Sequence, residues 1–252
     1  MRSLFIHVGP HKTGTTSIQE FLRQESGRVE DLGASVFLES SRIQRGRNDA
    51  ARANAWALAH CFIRAELPTP MRLNGSQSSE KAACEQQVDR FRDWARTSRG
   101  DRLIVSSEAF SFLRTEAEAE ALERCFEGLF DRIVPIIAFR EVGKRRRSWD
   151  RQLDTMGVAG RIASLGDAER VDADWYFDWE ALRGFWERFG EPRIIDYDAA
   201  LEQDGSILPA FLAAAELDAI DVETDYFLNE TLDRPRGVAR VIDRIGRFTK
   251  RL

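Results

Sequence analysis

The chain has 252 residues, of which 43% are hydrophobic and 31% charged, as in folded globular proteins and unlike disordered ones. Its net charge of −5 excludes a surface that binds nucleic acid or another polyanion as a whole, so an anion site must be a local cluster of positive charge. The three cysteines have no paired spacing, which argues against a disulfide framework or a structural zinc site and favours a reducing, cytoplasmic setting.

Short apolar runs alternate with longer amphipathic runs along the chain, beginning close to the first residue. The runs predict strands at 4–8, 35–38, 103–107, 134–139 and 193–195. They predict helices at 16–24, 48–65, 80–96, 116–129, 142–155, 179–189 and 207–215. This alternation is typical of a three-layer α/β fold, a mostly parallel sheet of about five strands flanked by helices. We expect residues 1–252 to form one domain, with a helical insertion at about 39–100.

The most informative segment, GPHKTGTTS at residues 9–17, follows the first predicted strand. A glycine-containing loop between a strand and a helix presents backbone N–H groups to an anion, usually a phosphate. In the nucleotide triphosphatase pattern G-x-x-x-x-G-K-S/T, the lysine follows the second glycine. Gly9 and Gly14 keep that spacing, but Thr15 occupies the lysine position and Lys12 lies inside the loop. The loop therefore predicts a phosphate-like ligand without the usual magnesium-nucleotide chemistry.

Residues 12–16, KTGTT, resemble the 5′-phosphosulfate loop of sulfotransferases that use 3′-phosphoadenosine 5′-phosphosulfate (PAPS). A second motif resembles the 3′-phosphate site of the same family: Arg140 ends a predicted strand and Ser148 follows eight residues later on a predicted helix. The resemblance covers residues 1–22 and 103–152 well, 193–217 loosely and the insertion hardly at all. It implies a P-loop NTPase-like sulfotransferase fold of a bacterial type, with PAPS as the sulfuryl donor. The donor-binding residues that it implies are Lys12, Thr13, Gly14, Thr15, Thr16, Ser17, Arg140 and Ser148.

The resemblance also suggests catalytic roles, since sulfuryl transfer depends mainly on positioning and electrostatic stabilisation. Lys12 is the candidate cation at the bridging oxygen of the leaving phosphate, and no metal is required because a sulfuryl group carries less negative charge than a phosphoryl group. Glu108, directly after the third predicted strand, is the candidate general base, with a structural pairing to Lys12 or an arginine as the alternative. His11 is the competing base or a donor to a sulfate oxygen. His7 is expected to be a core histidine, and His60 is expected to have a surface or packing role rather than a contact with the acceptor.

The acceptor is not identified by any motif; it is expected to be a small molecule, lipid or glycan with a hydroxyl or amine. The aromatic segment 175–179 either lines the acceptor pocket or packs between helices. The basic run 144–147 is expected to be at least half solvated surface. Ser17 replaces the tryptophan that stacks on adenine in soluble hormone and phenol sulfotransferases, so no adenine contact is predicted.

Two segments near the carboxyl end carry further expectations. Arg234 or Arg236 is a candidate for the role of the Arg-Lys-Gly segment that covers the 3′-phosphate in soluble members of the family. Residues 238–252 predict a basic amphipathic helix, which we expect to pack on the body of the protein rather than on an anionic membrane surface. No apolar run is long enough for a membrane span, and no cleavable signal is expected before the first strand.

Two other functions remain open. One is a P-loop kinase-like or NTP-binding enzyme with a degenerate loop, which is disfavoured by Thr15 and by the lack of an aspartate-containing metal strand. The other is a nucleotide-binding module without catalysis, which is disfavoured by the presence of Lys12.

Overall fold

The computed structural model describes residues 1–39, 53–75, 81–167 and 169–220. The predictions for Arg234, Arg236 and the helix at 238–252 therefore lie outside the described residues, as do parts of the predicted helices at 48–65 and 80–96.

A parallel sheet organises the described residues. Its strands are β1 (Ser3–His7), β2 (Ala34–Val36), β3 (Arg102–Ser106), β4 (Arg132–Phe139) and β5 (Arg193–Asp196). They lie in the order β2-β3-β1-β4-β5, and every pairing is parallel. In the central register, Phe5 lies between Ile104 and Val134. The predicted α/β class with a parallel sheet of about five strands is confirmed.

Helices cover both faces of the sheet. They are α1 (Thr15–Gln24), α2 (Ser26–Asp31), α3 (Trp56–His60), α4 (Pro70–Leu73), α5 (Lys81–Thr97), α6 (Glu116–Phe126), α7 (Val142–Thr155), α8 (Ala159–Ala163), α9 (Asp174–Phe177), α10 (Trp179–Glu187), α11 (Tyr197–Asp204) and α12 (Leu208–Ala214), with a 3-10 helix at Glu108–Phe112. Because side chains alternate along a strand, Leu4 and Ile6 of β1 join the core beneath α5, α7 and α10, whereas Phe5 joins the core beneath α1 and α12. The result is three layers.

The insertion between β2 and β3 contains α3, α4 and α5 in its described part. The helix predicted at 48–65 was too long, because the described part of that range contains only α3. Tertiary hydrogen bonds limit it at both ends. The N–H of Ala55 donates to the carbonyl of Ser106 over 2.8 Å, and the N–H of Arg64 donates to Oε1 of Glu118 over 2.9 Å.

The strand order places a topological switch point at the centre of the sheet. The chain leaves β1 towards β2, whereas it leaves the neighbouring β4 towards β5, on the opposite side. In open α/β sheets, ligands bind in the crevice that such divergent connections leave at the carboxyl ends of the strands. The loop with Lys12 and the residue Arg140 lie at these two strand ends.

Candidate functional site

The loop between β1 and α1 has a specific backbone conformation. Lys12 and Gly14 adopt left-handed φ values of 74° and 76°. At Gly14, a Cβ would lie 2.9 Å from Cγ2 of Ile207 and 3.0 Å from Cε2 of Tyr197, so glycine is required for both conformation and space. The buried hydroxyl of Thr13 donates to the carbonyl of Pro10 over 2.6 Å. The hydroxyl of Thr13 therefore holds the loop closed, and only its backbone N–H is left for a ligand.

The start of α1 offers unpaired backbone donors. Gly14 is the N-cap residue and provides no side-chain cap. Among the described residues, none accepts a hydrogen bond from the backbone N–H of residues 13–16. These donors lie at the positive end of the α1 dipole, where an anion is stabilised. This geometry is compatible with the backbone anion site that the sequence pattern predicts.

Lys12 lies among positive charges. Burial lowers its pKa first, and the charges of Arg140 and Arg151 lower it further, with no described carboxylate to offset them. Arg151 was missed from the sequence; its position three residues after Ser148, on the same face of α7, was the available signal. The ammonium of Lys12 is therefore suited to an anionic partner.

Arg140 lies against the loop. Its Nη1 donates to the carbonyl of Lys12 over 3.0 Å, and its guanidinium carbon lies 5.0 Å from the centre of the Tyr197 ring. Ser148 is buried on α7, about two turns beyond the end of β4. The structure thus joins Arg140 directly to the loop and places Ser148 within the adjoining helix.

The basic run 144–147 divides into two pairs. Lys144 and Arg147 are exposed, whereas Arg145 is buried and donates from Nη2 to the carbonyl of Tyr176 over 2.9 Å. Arg146 binds the carboxylate of Asp174 over 2.6 Å. Half of the run is therefore used to hold α9 against α7.

His11 lies between aromatic rings beside the loop. Its ring centre is 4.2 Å from that of Trp149 and 5.2 Å from that of Phe112. Burial lowers the pKa of His11 well below its usual value, and the charge of Arg145 adds to this effect. The imidazole is therefore neutral near pH 7.

A chain of hydrogen bonds orients His11. The hydroxyl of Ser111 donates to the carbonyl of Glu108 over 2.7 Å, which leaves its oxygen as an acceptor 3.3 Å from the hydroxyl of Tyr176. If the phenol donates to Ser111, its oxygen accepts from Nδ1 of His11 over 2.6 Å. In that arrangement Nε2 of His11 has a free lone pair. Tyr176, one of the aromatic residues singled out in the sequence, thus contacts the candidate base.

Glu108 begins the 3-10 helix directly after β3, and amide side chains hold its carboxylate. Gln19 donates from Nε2 to Oε2 over 2.8 Å, and Asn54 donates from Nδ2 over 3.1 Å to the same oxygen. Neither partner was predicted. Gln19 follows Thr15 by one helical turn, so the carboxylate is bound to the helix that begins at the loop. The pairing to Lys12 or an arginine that was the structural alternative is not found among the described residues.

His7 and His60 have packing roles in the structure. Nδ1 of His7 lies 2.8 Å from Oγ of Ser106, and burial lowers the pKa of His7 to about 3. His60 hydrogen-bonds through Nδ1 to the carbonyl of Trp56 over 2.7 Å and through Nε2 to Thr69 over 2.9 Å. Burial is also the main cause that lowers the pKa of His60 to about 4.

Other features of the described residues bear on the choice of site. Within residues 1–39, 53–75, 81–167 and 169–220, no group of three or more His, Cys, Asp or Glu side chains is arranged to hold a metal ion. No helix in this part of the chain is long and apolar enough to cross a membrane. A cavity of about 690 Å³ lies at the opposite end of the strands, between residues 130–134 and 189–193, and does not include the loop.

Comparisons with known proteins give a likeness to solved structures. No protein-family profile matches the sequence, and no curated protein matches it. Among solved structures, a sulfotransferase from Alicyclobacillus acidocaldarius is similar, with 14% sequence identity and a TM-score of 0.46 over 90% of this chain and 88% of that chain. The roles considered below rest on the residues themselves.

Proposed function

We propose that this protein is a PAPS-dependent sulfotransferase that transfers the sulfuryl group to a hydroxyl or amine of a small-molecule, lipid or glycan acceptor. The observation that carries the proposal is the loop after β1, where Lys12 lies beside N–H groups of residues 13–16 that have no acceptor among the described residues. A lysine within the loop, with Thr15 after the second glycine, suits a phosphosulfate better than a magnesium-bound triphosphate.

Most residues around the loop would hold the donor, and one, Lys12, would assist cleavage of the bond between the sulfuryl group and the 5′-phosphate. The N–H groups of residues 13–16, with the hydroxyls of Thr15 and Thr16, would hold the phosphosulfate oxygens, and Ser17 lies next to them. Arg140 and Ser148 would hold the 3′-phosphate, because a guanidinium binds phosphate with two parallel hydrogen bonds. Lys12 would stabilise the charge that develops on the bridging oxygen of the leaving 5′-phosphate.

Two side chains compete for the role of general base. Glu108 is an acceptor-only carboxylate fixed by Gln19 and Asn54, and it would take the proton of the acceptor hydroxyl or amine. His11 is neutral, and with Nδ1 bound to Tyr176 its Nε2 would accept the proton or bind a sulfate oxygen. We assign the base to Glu108, because polar amide side chains hold its carboxylate, whereas the ring of His11 lies between the rings of Trp149 and Phe112.

Thermal unfolding with adenosine 3′,5′-bisphosphate (PAP), compared with ATP or GTP plus magnesium, tests the donor site. A ligand at about 100 times its Kd adds roughly 2.7 kcal/mol of stability, which corresponds to about 5–10 °C for a chain of this size. A shift with PAP alone, independent of magnesium, is the expected result. A shift only with the magnesium nucleotides would refute the proposal and favour the kinase-like alternative.

The variant Arg140→Ala tests the assignment of the 3′-phosphate, with Arg147→Ala as its control. Arg147 is an exposed arginine of α7 and is not assigned to the site. The first variant is expected to lose the preference for PAP over adenosine 5′-monophosphate (AMP), and the second to keep it. An unchanged preference in Arg140→Ala would remove Arg140 from the site.

A further inference from the structure

An acidic side chain, Asp198, lies between Lys144 and Arg140, the arginine assigned to the 3′-phosphate. Oδ2 of Asp198 is 3.3 Å from Nζ of Lys144, and Oδ1 of Asp198 is 3.8 Å from Nε of Arg140. Each carboxylate oxygen therefore faces a different cation. Among the described residues, Nε of Arg140 has no hydrogen-bond partner, so its contact with Asp198 is electrostatic only.

The start of α11 holds Asp198 in this place. Asp196, the N-cap residue, accepts the N–H of Ala199 over 3.0 Å, so Asp198 is not needed for capping. The intervening Tyr197 lies under the guanidinium of Arg140 and against Gly14 of the loop. The carboxylate of Asp198 is thus fixed beside the loop by its neighbours on both sides.

The three charged side chains are accessible to a ligand. The exposed fraction is 22% for Arg140, 50% for Lys144 and 31% for Asp198. Ion pairs that are partly solvated at distances above 3 Å are weak, so a stronger anion can replace the carboxylate. A phosphate monoester carries up to two charges and more acceptor oxygens than a carboxylate.

We propose that Asp198 is a counter-ion for Arg140 and Lys144 that is exchanged for the 3′-phosphate of the donor, and that it limits the affinity for 3′-phosphorylated nucleotides. This inference rests on the proposed function. When the 3′-phosphate binds, Arg140 and Lys144 exchange their contact with Asp198 for the phosphate. The negative charge of Asp198 remains nearby and opposes the phosphate, which favours release of the PAP product. A nucleotide that lacks the 3′-phosphate does not compete with Asp198 for Arg140 and Lys144.

The test is isothermal titration calorimetry of the full chain with PAP and with AMP, in wild type and in Asp198→Asn. The control is Glu202→Gln, which removes one negative charge from an exposed position of the same helix. We expect Asp198→Asn to bind PAP about 3- to 10-fold more tightly, with AMP affinity unchanged, since exposed pairs contribute modest energies. The gain should shrink at high salt, because the groups are partly solvated. Glu202→Gln should match the wild type with both nucleotides.

The outcomes separate the two proposals. If wild type binds PAP and Asp198→Asn binds it equally or more weakly, Asp198 is not a competing counter-ion, and a weaker affinity would instead mean that it positions Arg140. If wild type does not bind PAP, the proposed function fails and the inference fails with it. Equal thermal midpoints of the three proteins without ligand exclude misfolding as the cause of a difference.

Discussion

Acidification from about pH 7.5 to about pH 5 should destabilise the protein, because His7 and His60 are buried and the pKa values of His7, His11 and His60 are all lowered. Burial lowers the pKa of His7 to about 3 and that of His60 to about 4, and it lowers that of His11 well below its usual value. A histidine in the unfolded chain titrates near about 6.5. Since each folded-state pKa is depressed, the stability from each neutral histidine is present above about pH 6.5 and is lost as the pH falls towards the folded value.

The magnitude follows from these pKa values. At about pH 5, about 1.5 pH units below the unfolded pKa, His7 and His60 each lower the free energy of unfolding by about 2 kcal/mol, and His11 acts in the same direction. Glu39 acts in the opposite direction. Burial raises its pKa to about 7, although the N–H groups of Ala57 and Leu58 donate to its carboxylate. As the pH falls below about 7, the carboxylate of Glu39 binds a proton in the folded state. This adds about 2 kcal/mol to the free energy of unfolding by about pH 5. His7 and His60 together outweigh Glu39 by about 2 kcal/mol, a sizeable part of the stability of a typical domain, and His11 adds to this loss.

Urea unfolding at several pH values between about 7.5 and 5 measures this loss directly. The variant Glu39→Gln removes the opposing proton uptake, so its free energy of unfolding should fall by at least about 4 kcal/mol over the same range. Because the substituted amide also has one acceptor oxygen fewer for the backbone N–H groups, the slopes with pH are compared, and not the absolute stabilities. A wild-type stability that is constant or rises on acidification would refute the reasoning, as would equal slopes in the two proteins.

Three further substitutions test the site and the loop. Lys12→Ala should lower turnover of PAPS at least about 100-fold while PAP affinity changes less than about tenfold, because the lost cation acts mainly in the transition state. Unchanged turnover in a sulfate-transfer assay would refute this role of Lys12. Glu108→Gln should lower kcat about 100- to 10,000-fold without loss of PAP binding, and if His11→Asn alone had that effect, the base would be His11. Gly14→Ala should cost about 1–3 kcal/mol in urea unfolding, from strain at positive φ and close contacts, and an equally stable variant would contradict the loop conformation.

The sheet could be predicted because its strands are short apolar runs separated by amphipathic helices. Lys12, Glu108 and Arg140 each follow a predicted strand, and the carboxyl ends of parallel strands share one edge of a sheet, so the sequence also allows these residues to be placed on one edge. The helix at 48–65 was mispredicted because an alanine-rich run has strong helix propensity. Nothing local shows that the N–H of Ala55 is already bound to the carbonyl of Ser106. Tertiary hydrogen bonding decided the outcome there.

The partners of the candidate base residues could not be found from the sequence, because they are distant along the chain. Gln19 is 89 positions from Glu108, and Tyr176 is 165 positions from His11. Local patterns cannot pair residues at such separations. Arg140 and Lys12 are 128 positions apart, and only the prediction that both follow strands of one parallel sheet brought them near each other.

The positive charge around the loop links ligand binding to the protonation of Lys12. Arg140 and Arg151 lower the pKa of Lys12, so an anion that cancels their charge raises that pKa. The coupling is reciprocal, and a protonated Lys12 strengthens anion binding in turn. For a sulfotransferase, Lys12 would then be most firmly protonated while the phosphosulfate is in place, which is when a cation is needed at the leaving oxygen. At the 3′-phosphate, the negative charge of Asp198 would instead weaken binding. Tight binding there would only delay release of PAP.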